Sequence, residues 1–281
     1  MTRVLSALVL LPLVIGTIWF LPPEGTLLLA LVAAVLAFSE YCGLAKALGV
    51  WVPGGVGGAA VVLTCYAMWL TDRPTDVFVN GLPLRQPNDV YLVLMALLIV
   101  AGAVFVARGR PAPGALADVA ATVFAPIYLG LPLGALAAVR GDRLRDGRAA
   151  VLLLLAVIVV SDSAQYYTGR AFGRRPLSPG ISPKKTVEGA IGGMVFGTLA
   201  MMLGGHYVFG SPIWVLALLG AAISLLGIVG DLFESLLKRS AGVKDSSQMI
   251  PGHGGVLDRI DSWLFAAPIY YVFVKWIVTP R

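Results

Sequence analysis

Residues 235–261 read SLLKRSAGVKDSSQMIPGHGGVLDRID, a polar stretch between two long apolar runs. Four basic residues, three aspartates, one histidine and a glycine pair lie in it: Lys238, Arg239, Lys244, Arg259, Asp245, Asp258, Asp261, His253 and Gly254–Gly255. A simple connection between two apolar segments would not need so many charged residues. Its mixture of acids and bases is suited to holding a metal ion together with phosphate groups.

The rest of the chain is apolar enough to lie in a membrane. Hydrophobic residues make up 58% of the 281 residues, charged residues make up 13%, and the mean hydropathy is +0.86. A soluble domain carries about 25% charged residues. The apolar runs are continuous and lack the alternation of a β-barrel. We therefore predict an all-α, polytopic integral membrane protein, since a helix pairs its backbone amides within its own segment.

A helix of about 20 residues spans the hydrocarbon core of a bilayer. About nine segments meet this length: 4–21, 26–46, 50–70, 90–107, 115–138, 149–168, 187–208, 212–236 and 262–278. The net charge of +6 is attributed to cytoplasmic loops and to an anionic lipid or substrate. No motif indicates a nucleic-acid partner, so none is expected.

The distribution of basic residues favours one orientation. Two polar loops, 169–186 and 237–261, are separated by an even number of predicted spans and therefore lie on the same side. If that side is the cytoplasm, 13 Lys and Arg residues lie there and 8 lie outside, which fits the usual excess in cytoplasmic loops. We predict a cytoplasmic N-terminus and an external C-terminus, although the arginine-rich stretch 140–148 then lies outside.

The two regions of the chain differ in character. Residues 1–150 are rich in Leu, Ala and Val, and are predicted to form lipid-facing transmembrane helices with possible dimer contacts. Residues 151–281 contain both polar loops and nearly all of the candidate chemistry. Glu40 and Asp118 are acids near predicted spans, but no motif surrounds them. No internal repeat is present, so a transporter built from inverted repeats gains no support.

Three polar residues share one face at the end of the eighth predicted helix. Asp231, Ser235 and Lys238 are spaced i, i+4 and i+7, which brings them to the same side. An acid in or near the hydrocarbon is costly and usually faces a polar cavity or a charged partner. Asp231 is therefore a candidate functional acid. The alternative is a structural ion pair between Asp231 and Lys238.

A second group begins the last predicted helix. Asp258 and Asp261 are spaced i, i+3, so both carboxylates can point to one side and bind Mg²⁺, which is usually held by one or two carboxylates and substrate phosphates. Gly254 and Gly255 allow backbone N–H groups to approach phosphate oxygens closely. The alternative is a helix start where acids are favoured by the helix dipole, but this leaves His253 and the glycines unexplained.

A third group precedes the seventh predicted helix. Ser182 and Pro183 resemble an N-cap and the first helical residue, which would bring Lys184 and Lys185 close to a helix N-terminus, a natural anion site. The alternative is a basic anchor at the cytoplasmic surface. Asp162, at the inner end of the sixth predicted helix, either reaches the same cavity as Asp231 or caps the membrane interface.

At these residues the sequence closely resembles the phosphatidate cytidylyltransferase (CDP-diacylglycerol synthase) family. The resemblance is highly specific over about 160–265 and is limited to hydropathy over 1–150. The loop 181–186 and Gly189 also look like the family's. The residues that match the family's motif are Ser235, Lys238, Arg239, Lys244, Asp245, Pro251, His253, Gly254, Gly255, Asp258, Arg259 and Asp261.

The resemblance implies a fold, a location and a reaction. It implies a polytopic protein of the bacterial inner membrane, a homodimer, and an active site on the cytoplasmic side. The implied reaction converts CTP and phosphatidate to CDP-diacylglycerol and pyrophosphate in phospholipid biosynthesis. The family also suggests a monovalent cation such as K⁺ beside Mg²⁺.

These considerations assign hypothetical roles to the candidate residues. Asp231 and Asp258 bind Mg²⁺, with Asp261 a possible third ligand. Phosphate charge is neutralised by the basic side chains of Lys238, Arg239, Lys244 and Arg259. Lys184 and Lys185 hold a phosphate of CTP or of the lipid. Hydrogen bonds or close approach to substrate are expected from Ser182, His253, Gly254, Gly255 and Asp162.

Two other functions are weighed against this one. Another CTP-dependent membrane lipid enzyme, either a kinase or a cytidylyltransferase, would use similar chemistry but should lack the intact motif of residues 244–261. An ion-coupled transporter would use intramembrane acids such as Asp118 and Asp231 as ion sites. The polar residues cluster at one face, however, and do not line a path across both leaflets.

Overall fold

The computed structural model of the chain describes residues 2–71, 78–79, 82–83, 89–107, 114–141, 146–250, 252 and 254–278. Residues 2–107 contain four helices and one short hairpin, and each predicted apolar segment there falls on a helix. Their bounds are α1 Thr2–Phe20, α2 Pro23–Ala47, α3 Gly54–Leu70, β1 Phe78–Val79, β2 Leu82–Pro83 and α4 Asp89–Ala107. Helix α2 begins with Pro23 at its first position, where a missing N–H costs nothing.

The fifth predicted segment is one continuous helical run that contains a π-helical turn. Helix α5 (Ala115–Ala125) leads through the turn Pro126–Gly130 into α6 (Leu131–Arg140). Gly130 and Gly134 face the backbone of α3, where an added Cβ would meet the carbonyls of Val61 and Cys65. Small residues of this kind allow membrane helices to approach closely.

The second region contains four further helices, another hairpin and a final π-helical turn. Their bounds are α7 Gly147–Phe172, β3 Pro176–Ser178, β4 Ser182–Thr186, α8 Val187–Phe209, α9 Ile213–Ser240, α10 Leu257–Phe273 and the turn Val274–Val278. Strands β3 and β4 pair antiparallel, with Pro176 opposite Thr186 and Ser178 opposite Ser182. The predicted loop 169–186 is therefore mostly the end of α7 and this hairpin.

The structure corrects the predicted start of α8. Ser182 and Pro183 are not an N-cap and a first helical residue, because both lie on β4. The N-cap is Thr186, whose hydroxyl accepts a hydrogen bond of 3.1 Å from the Gly189 N–H. Such a bond satisfies one of the free donors at a helix start. Lys184 and Lys185 consequently precede the helix on a strand.

The second polar loop is also shorter than predicted. Helix α9 continues to Ser240, and Gly242 follows it with a φ of 72°, the left-handed backbone that ends many helices. Helix α10 starts at Leu257, five residues before the predicted span 262–278. The irregular stretch is thus 241–256, called the 241–256 loop below.

The packing of α8 against α7 depends on glycine. Gly189, Gly192 and Gly193 are buried or nearly so on α8, and side chains there would overlap Gln165 and Thr168 of α7. This is the most extensive helix pair in the described chain, and α9 packs against both α8 and α10. Close contact of α7, α8, α9 and α10 brings their polar ends to one place.

The protein is a multi-pass helical membrane protein. Within the described residues, six helical segments are long and apolar enough to cross a bilayer: 23–47, 90–107, 115–140, 147–172, 187–209 and 213–240. Helices α1 and α3 contain shorter apolar stretches. The predicted count of nine spans is not confirmed. The hydrophobic core includes residues from α2, α3 and α6 together with α7–α10, so both regions share one core.

Candidate active site

Three carboxylates from different helices face one lysine. Asp162 lies on α7, Asp231 on α9 and Asp261 on α10; the charge of Asp231 acts on the other two, and that of Asp162 acts on Asp261. Lys185 of β4 forms an ion pair with Asp231, and its charge also acts on Asp162 and Asp261. We call Asp162, Asp231 and Asp261 the acidic cluster. With all three ionised, Lys185 leaves two negative charges unbalanced.

Close helix packing creates this cluster. Gly230 precedes Asp231 on α9. A Cβ atom added at Gly230 would lie 2.5 Å from the carbonyl oxygen of Asp261, so any side chain there would push α10 away from α9. Asp162 accepts a hydrogen bond of 3.1 Å from the Gln165 side chain. The side chains of Lys185 and Asp231 remain 22% and 33% exposed, whereas the ammonium nitrogen of Lys185 is itself buried.

A second charged group is built around Lys238. Its ammonium forms ion pairs with Glu234, one turn earlier on α9, and with Asp258 of α10, at 2.5 Å from the Asp258 Oδ1. Glu234 is fully buried, and Lys238 is 9% exposed. The alternative considered from the sequence, an Asp231–Lys238 pair, is therefore wrong. Lys238 links α9 to α10, whereas Asp231 pairs with Lys185.

Asp258 is held on all sides by donors. Its Oδ2 accepts hydrogen bonds from the Ser246 N–H at 3.0 Å, the Ser246 hydroxyl at 2.9 Å and the Gly255 N–H at 2.8 Å. Asp258 precedes the predicted span 262–278. Burial raises its pKa, but hydrogen bonds from Lys238 and Gly255 outweigh that effect and lower the pKa of Asp258 to about 2. The side chain is thus an ionised anchor for the 241–256 loop.

The glycine pair has a structural use that the sequence did not indicate. The Gly255 N–H, predicted to approach phosphate, already donates to Asp258. Gly254 has a φ of 81°, which favours glycine, and its carbonyl accepts from the Ile250 N–H at 2.9 Å. Contact of Gly254 or Gly255 with substrate stays a prediction. His253 and Pro251 lie outside the described residues.

The remaining basic candidates are exposed near the two charged groups. Arg239 donates to the carbonyls of Ile181 and Val243, at 3.4 and 3.2 Å, and so bridges the hairpin and the 241–256 loop. Lys184 on β4, Lys244 in the loop and Arg259 on α10 are exposed, and Ser182 is half-buried at the start of β4. These side chains are available to an anionic ligand.

No role was assigned from the sequence to two acids of the site, Glu40 and Glu234. Glu40 of α2 accepts four hydrogen bonds from the 241–256 loop and the start of α10. Glu234 pairs with Lys238. The available signals were an acid inside an apolar segment for Glu40 and an i, i+4 acid–base pair for Glu234. Asp118, in contrast, accepts from the Trp51 N–H at 2.8 Å.

The acidic cluster fits a divalent cation that binds together with substrate. Among the described residues, no three His, Cys, Asp or Glu side chains form a preassembled metal shell. Mg²⁺ does not require one, because it keeps several waters and takes one or two carboxylates plus phosphate oxygens. Asp231 and Asp261 offer such carboxylates. The oxygens of Asp258 are already engaged by Lys238, Ser246 and Gly255, and its predicted metal contact remains untested.

The helices and the site together define a polytopic membrane protein with an acidic cluster and basic side chains at one end of its helix bundle. Comparison with known proteins gives the family. The cytidylyltransferase family model matches residues 1–277, so the chain belongs to this family.

Several curated relatives carry the name phosphatidate cytidylyltransferase. The relative from Synechocystis is 48% identical over 130 residues, which cover 46% of this chain and 44% of that protein. The Mycobacterium leprae relative is 39% identical over 166 residues, covering 59% and 53% of the two chains. The chain thus matches about half the length of these relatives. The Staphylococcus haemolyticus relative is 28% identical over 277 residues, which cover 98% of this chain and 97% of that protein.

Proposed function

We propose that this protein is a phosphatidate cytidylyltransferase, which converts CTP and phosphatidate to CDP-diacylglycerol and pyrophosphate. The observation that carries the proposal is the approach of Asp162, Asp231 and Asp261 to Lys185 at one end of the bundle. A site that must hold two phosphate-bearing molecules and a cation needs both signs of charge. Membership of the cytidylyltransferase family and the names of the relatives support this choice.

The reaction sets an electrostatic problem. An oxygen of the phosphatidate phosphate attacks the α-phosphorus of CTP, a new P–O bond forms, and the bond to the β-phosphate oxygen breaks to release pyrophosphate. The nucleophile is already an oxyanion, so no general base is required. Catalysis then consists mainly of bringing two anions together and stabilising the leaving pyrophosphate.

A bound Mg²⁺ would neutralise phosphate oxygens and orient the two reactants. Asp231 and Asp261 are the carboxylates best suited to hold it, because their oxygens are not saturated by protein donors. Asp162 adds negative charge beside them. Asp258 would have to release Lys238 or Ser246 to bind the ion directly, so its ion pair with Lys238 favours a supporting role. A monovalent cation such as K⁺ near the same acids is a further part of the proposal.

The basic side chains divide the remaining work. Lys185 presents its ammonium beside Asp231, where a phosphate bridged to the cation would also lie. The exposed groups of Lys184, Arg239, Lys244 and Arg259 are suited to the triphosphate and the departing pyrophosphate. The ammonium of Lys238 is held by Glu234 and Asp258, which favours a role in holding α10 in place. Ser182, His253, Gly254 and Gly255 remain candidates for hydrogen bonds to substrate.

The proposal includes a location and an assembly. The excess of Lys and Arg on the side of the two polar loops supports a cytoplasmic active site in a bacterial inner membrane. Phosphatidate would reach the acidic cluster from the inner leaflet, and CTP from the cytoplasm. A homodimer is proposed from the family resemblance, with contacts in residues 1–150.

Labelled CTP tests the reaction directly. Purified protein is incubated with phosphatidate, Mg²⁺ and CTP carrying ³²P at either the α or the γ position. The proposal expects α-label in the lipid and γ-label in pyrophosphate. Transfer of γ-label to the lipid would identify a kinase, and ion flux in liposomes without CTP turnover would identify a transporter. Either result would rule the proposal out.

A further inference from the structure

Glu40 is a buried acid in the middle of an apolar helix, far in sequence from the site. It lies on α2 and is 4% exposed. Its Oε1 accepts from the Ser247 hydroxyl at 2.6 Å and the Val256 N–H at 2.9 Å. Its Oε2 accepts from the Leu257 N–H at 2.7 Å and the Ser246 hydroxyl at 3.0 Å. A buried carboxylate is costly unless it is fully hydrogen-bonded, and here both oxygens are satisfied.

These bonds connect the first half of the 241–256 loop to the start of α10. Ser246 and Ser247 lie in the first half of the loop, while Val256 and Leu257 lie where α10 begins. The first N–H groups of a helix have no partner within the helix, and a negative charge there is favoured by the helix dipole. Glu40 therefore supplies, from another helix, the anion that the start of α10 needs.

The same contacts connect Glu40 to Asp258. The Ser246 hydroxyl lies 3.0 Å from Glu40 Oε2 and 2.9 Å from Asp258 Oδ2. The N–H groups of three consecutive residues are divided between the two acids, with Gly255 donating to Asp258, and Val256 and Leu257 to Glu40. A side chain at Gly255 would overlap both the Ser246 hydroxyl and the Glu40 carboxylate. The two acids therefore hold residues 246–247 and 255–257 in one arrangement.

We propose that Glu40 is a positioning residue for the reaction: it fixes the 241–256 loop and the first turn of α10, and thereby sets Asp258 and Asp261 relative to α9. This inference rests on the proposed function for its catalytic consequence. Geometry within a fraction of an ångström matters at such a site, because small misplacements of catalytic groups cost large factors in rate. Helix α2 is then part of the catalytic apparatus as well as the scaffold.

The test compares Glu40→Gln and Glu40→Asp with the wild type. Gln replaces one acceptor oxygen with an NH₂ donor that faces existing donors, whereas Asp keeps the charge on a shorter side chain. We expect Glu40→Gln to lower kcat about tenfold or more, with a KM for phosphatidate within a factor of about two. Glu40→Asp should recover part of the rate. Ser39→Ala is the matched control, since Ser39 is exposed and its hydroxyl donates to the Leu36 carbonyl of the same helix.

A second readout follows the loop without any turnover. Lys244 is exposed in the 241–256 loop, so trypsin cleavage after it reports how often the loop opens. Glu40→Gln should speed this cleavage and Ser39→Ala should not. A protein whose fold is merely weakened everywhere would instead lose thermal stability with kcat per folded molecule unchanged. If Glu40→Gln does not fold, Ser247→Ala removes the 2.6 Å bond to Glu40, together with the 3.1 Å bond that the Ser247 hydroxyl accepts from the Met249 N–H. This variant should show the same two changes in smaller degree.

The outcomes separate this inference from the proposed function. A wild-type enzyme that makes CDP-diacylglycerol, with wild-type kcat and cleavage in Glu40→Gln, would overturn the role of Glu40 alone. If Glu40→Gln does not fold, wild-type kcat and cleavage in both Glu40→Asp and Ser247→Ala would overturn it. A wild-type protein that makes no liponucleotide would overturn the proposed function, and the role of Glu40 in the reaction would be overturned with it. Faster trypsin cleavage of Glu40→Gln would in that case support only the conclusion that Glu40 holds the loop in place.

Discussion

Lys185 on strand β4 forms an ion pair with Asp231 on helix α9, and this contact joins the hairpin to the acidic cluster. The charge of this lysine also acts on Asp162 and Asp261, on two further helices. A divalent ion bound at Asp231 would compete with Lys185 for the same oxygens, while a phosphate bound to that ion would attract the lysine. The pair is thus suited to exchange partners when nucleotide binds.

Removing a carboxylate of the acidic cluster should abolish most of the activity. Asp231→Asn and Asp261→Asn each keep the side-chain shape but lose a negative charge that the cation needs. We expect turnover to fall about a hundredfold or more in each, measured as pyrophosphate released from CTP and phosphatidate. Asp118→Asn is the matched control, because the Asp118 side chain accepts from the Trp51 N–H and, among the described residues, makes no hydrogen bond to the acidic cluster. Near-normal turnover in both cluster variants would refute the assignment.

Lys185 should matter for nucleotide use. Replacing it with Ala removes the cation beside Asp231, so we expect a loss of roughly tenfold to a hundredfold in kcat/KM for CTP. Lys185→Arg should retain more activity, since it keeps the charge. Lys46→Ala, at an exposed position at the end of α2, controls for a general loss of positive charge. Unchanged kinetics for both substrates in Lys185→Ala would exclude an anion site at this residue.

Lys238 should be important for stability. Lys238→Met would leave Glu234 and Asp258 without their shared cation in a buried setting, a change that costs about 3 kcal/mol. A fall in the thermal unfolding midpoint of detergent-purified protein measures it. Adding Glu234→Gln should restore part of the loss, because one buried charge is removed. Exposed Arg239→Met should shift the midpoint far less, and equal shifts would argue against the buried pairing.

Gly255 should tolerate no side chain. In Gly255→Ala the new methyl group would overlap the Ser246 hydroxyl and the Glu40 carboxylate, so the loop would have to move. We expect lower turnover and faster trypsin cleavage after Lys244. Gly180→Ala is a suitable control, since the space around Gly180 is open. Normal turnover and normal trypsin cleavage in Gly255→Ala would show that the close approach of Gly255 to Ser246 and Glu40 does not matter for activity.

The sequence predicted the membrane fold and the region of the site, because hydropathy and charge are local properties. For Asp162 it left two alternatives, the cavity of Asp231 or a cap at the membrane interface, and the charge of Asp231 does act on Asp162. The partners of individual charges could not be predicted. Lys238 reaches Asp258 only because α9 and α10 pack closely at Gly230. Nothing near Glu40 in sequence indicates a loop that is about 200 residues away.

The start of α8 shows the same limit on a smaller scale. Ser-Pro before a basic pair is a typical helix start, yet residues 182–186 pair with β3 and the cap falls on Thr186. The Glu188 carboxylate accepts hydrogen bonds from the backbone N–H groups of Arg174 and Arg175. These bonds and the strand pairing form only in the folded protein and cannot be predicted from the local sequence. Local propensity was therefore outweighed by the hairpin.

Binding of Mn²⁺ in place of Mg²⁺ tests the central claim most directly. Electron paramagnetic resonance measures free Mn²⁺ during titration of the purified protein with CTP present. The account predicts a site in the wild type whose affinity falls at least about tenfold in both Asp231→Asn and Asp261→Asn, with Asp118→Asn unchanged. Wild-type Mn²⁺ affinity in both cluster variants would contradict the claim that these carboxylates hold the cation that brings the two phosphates together.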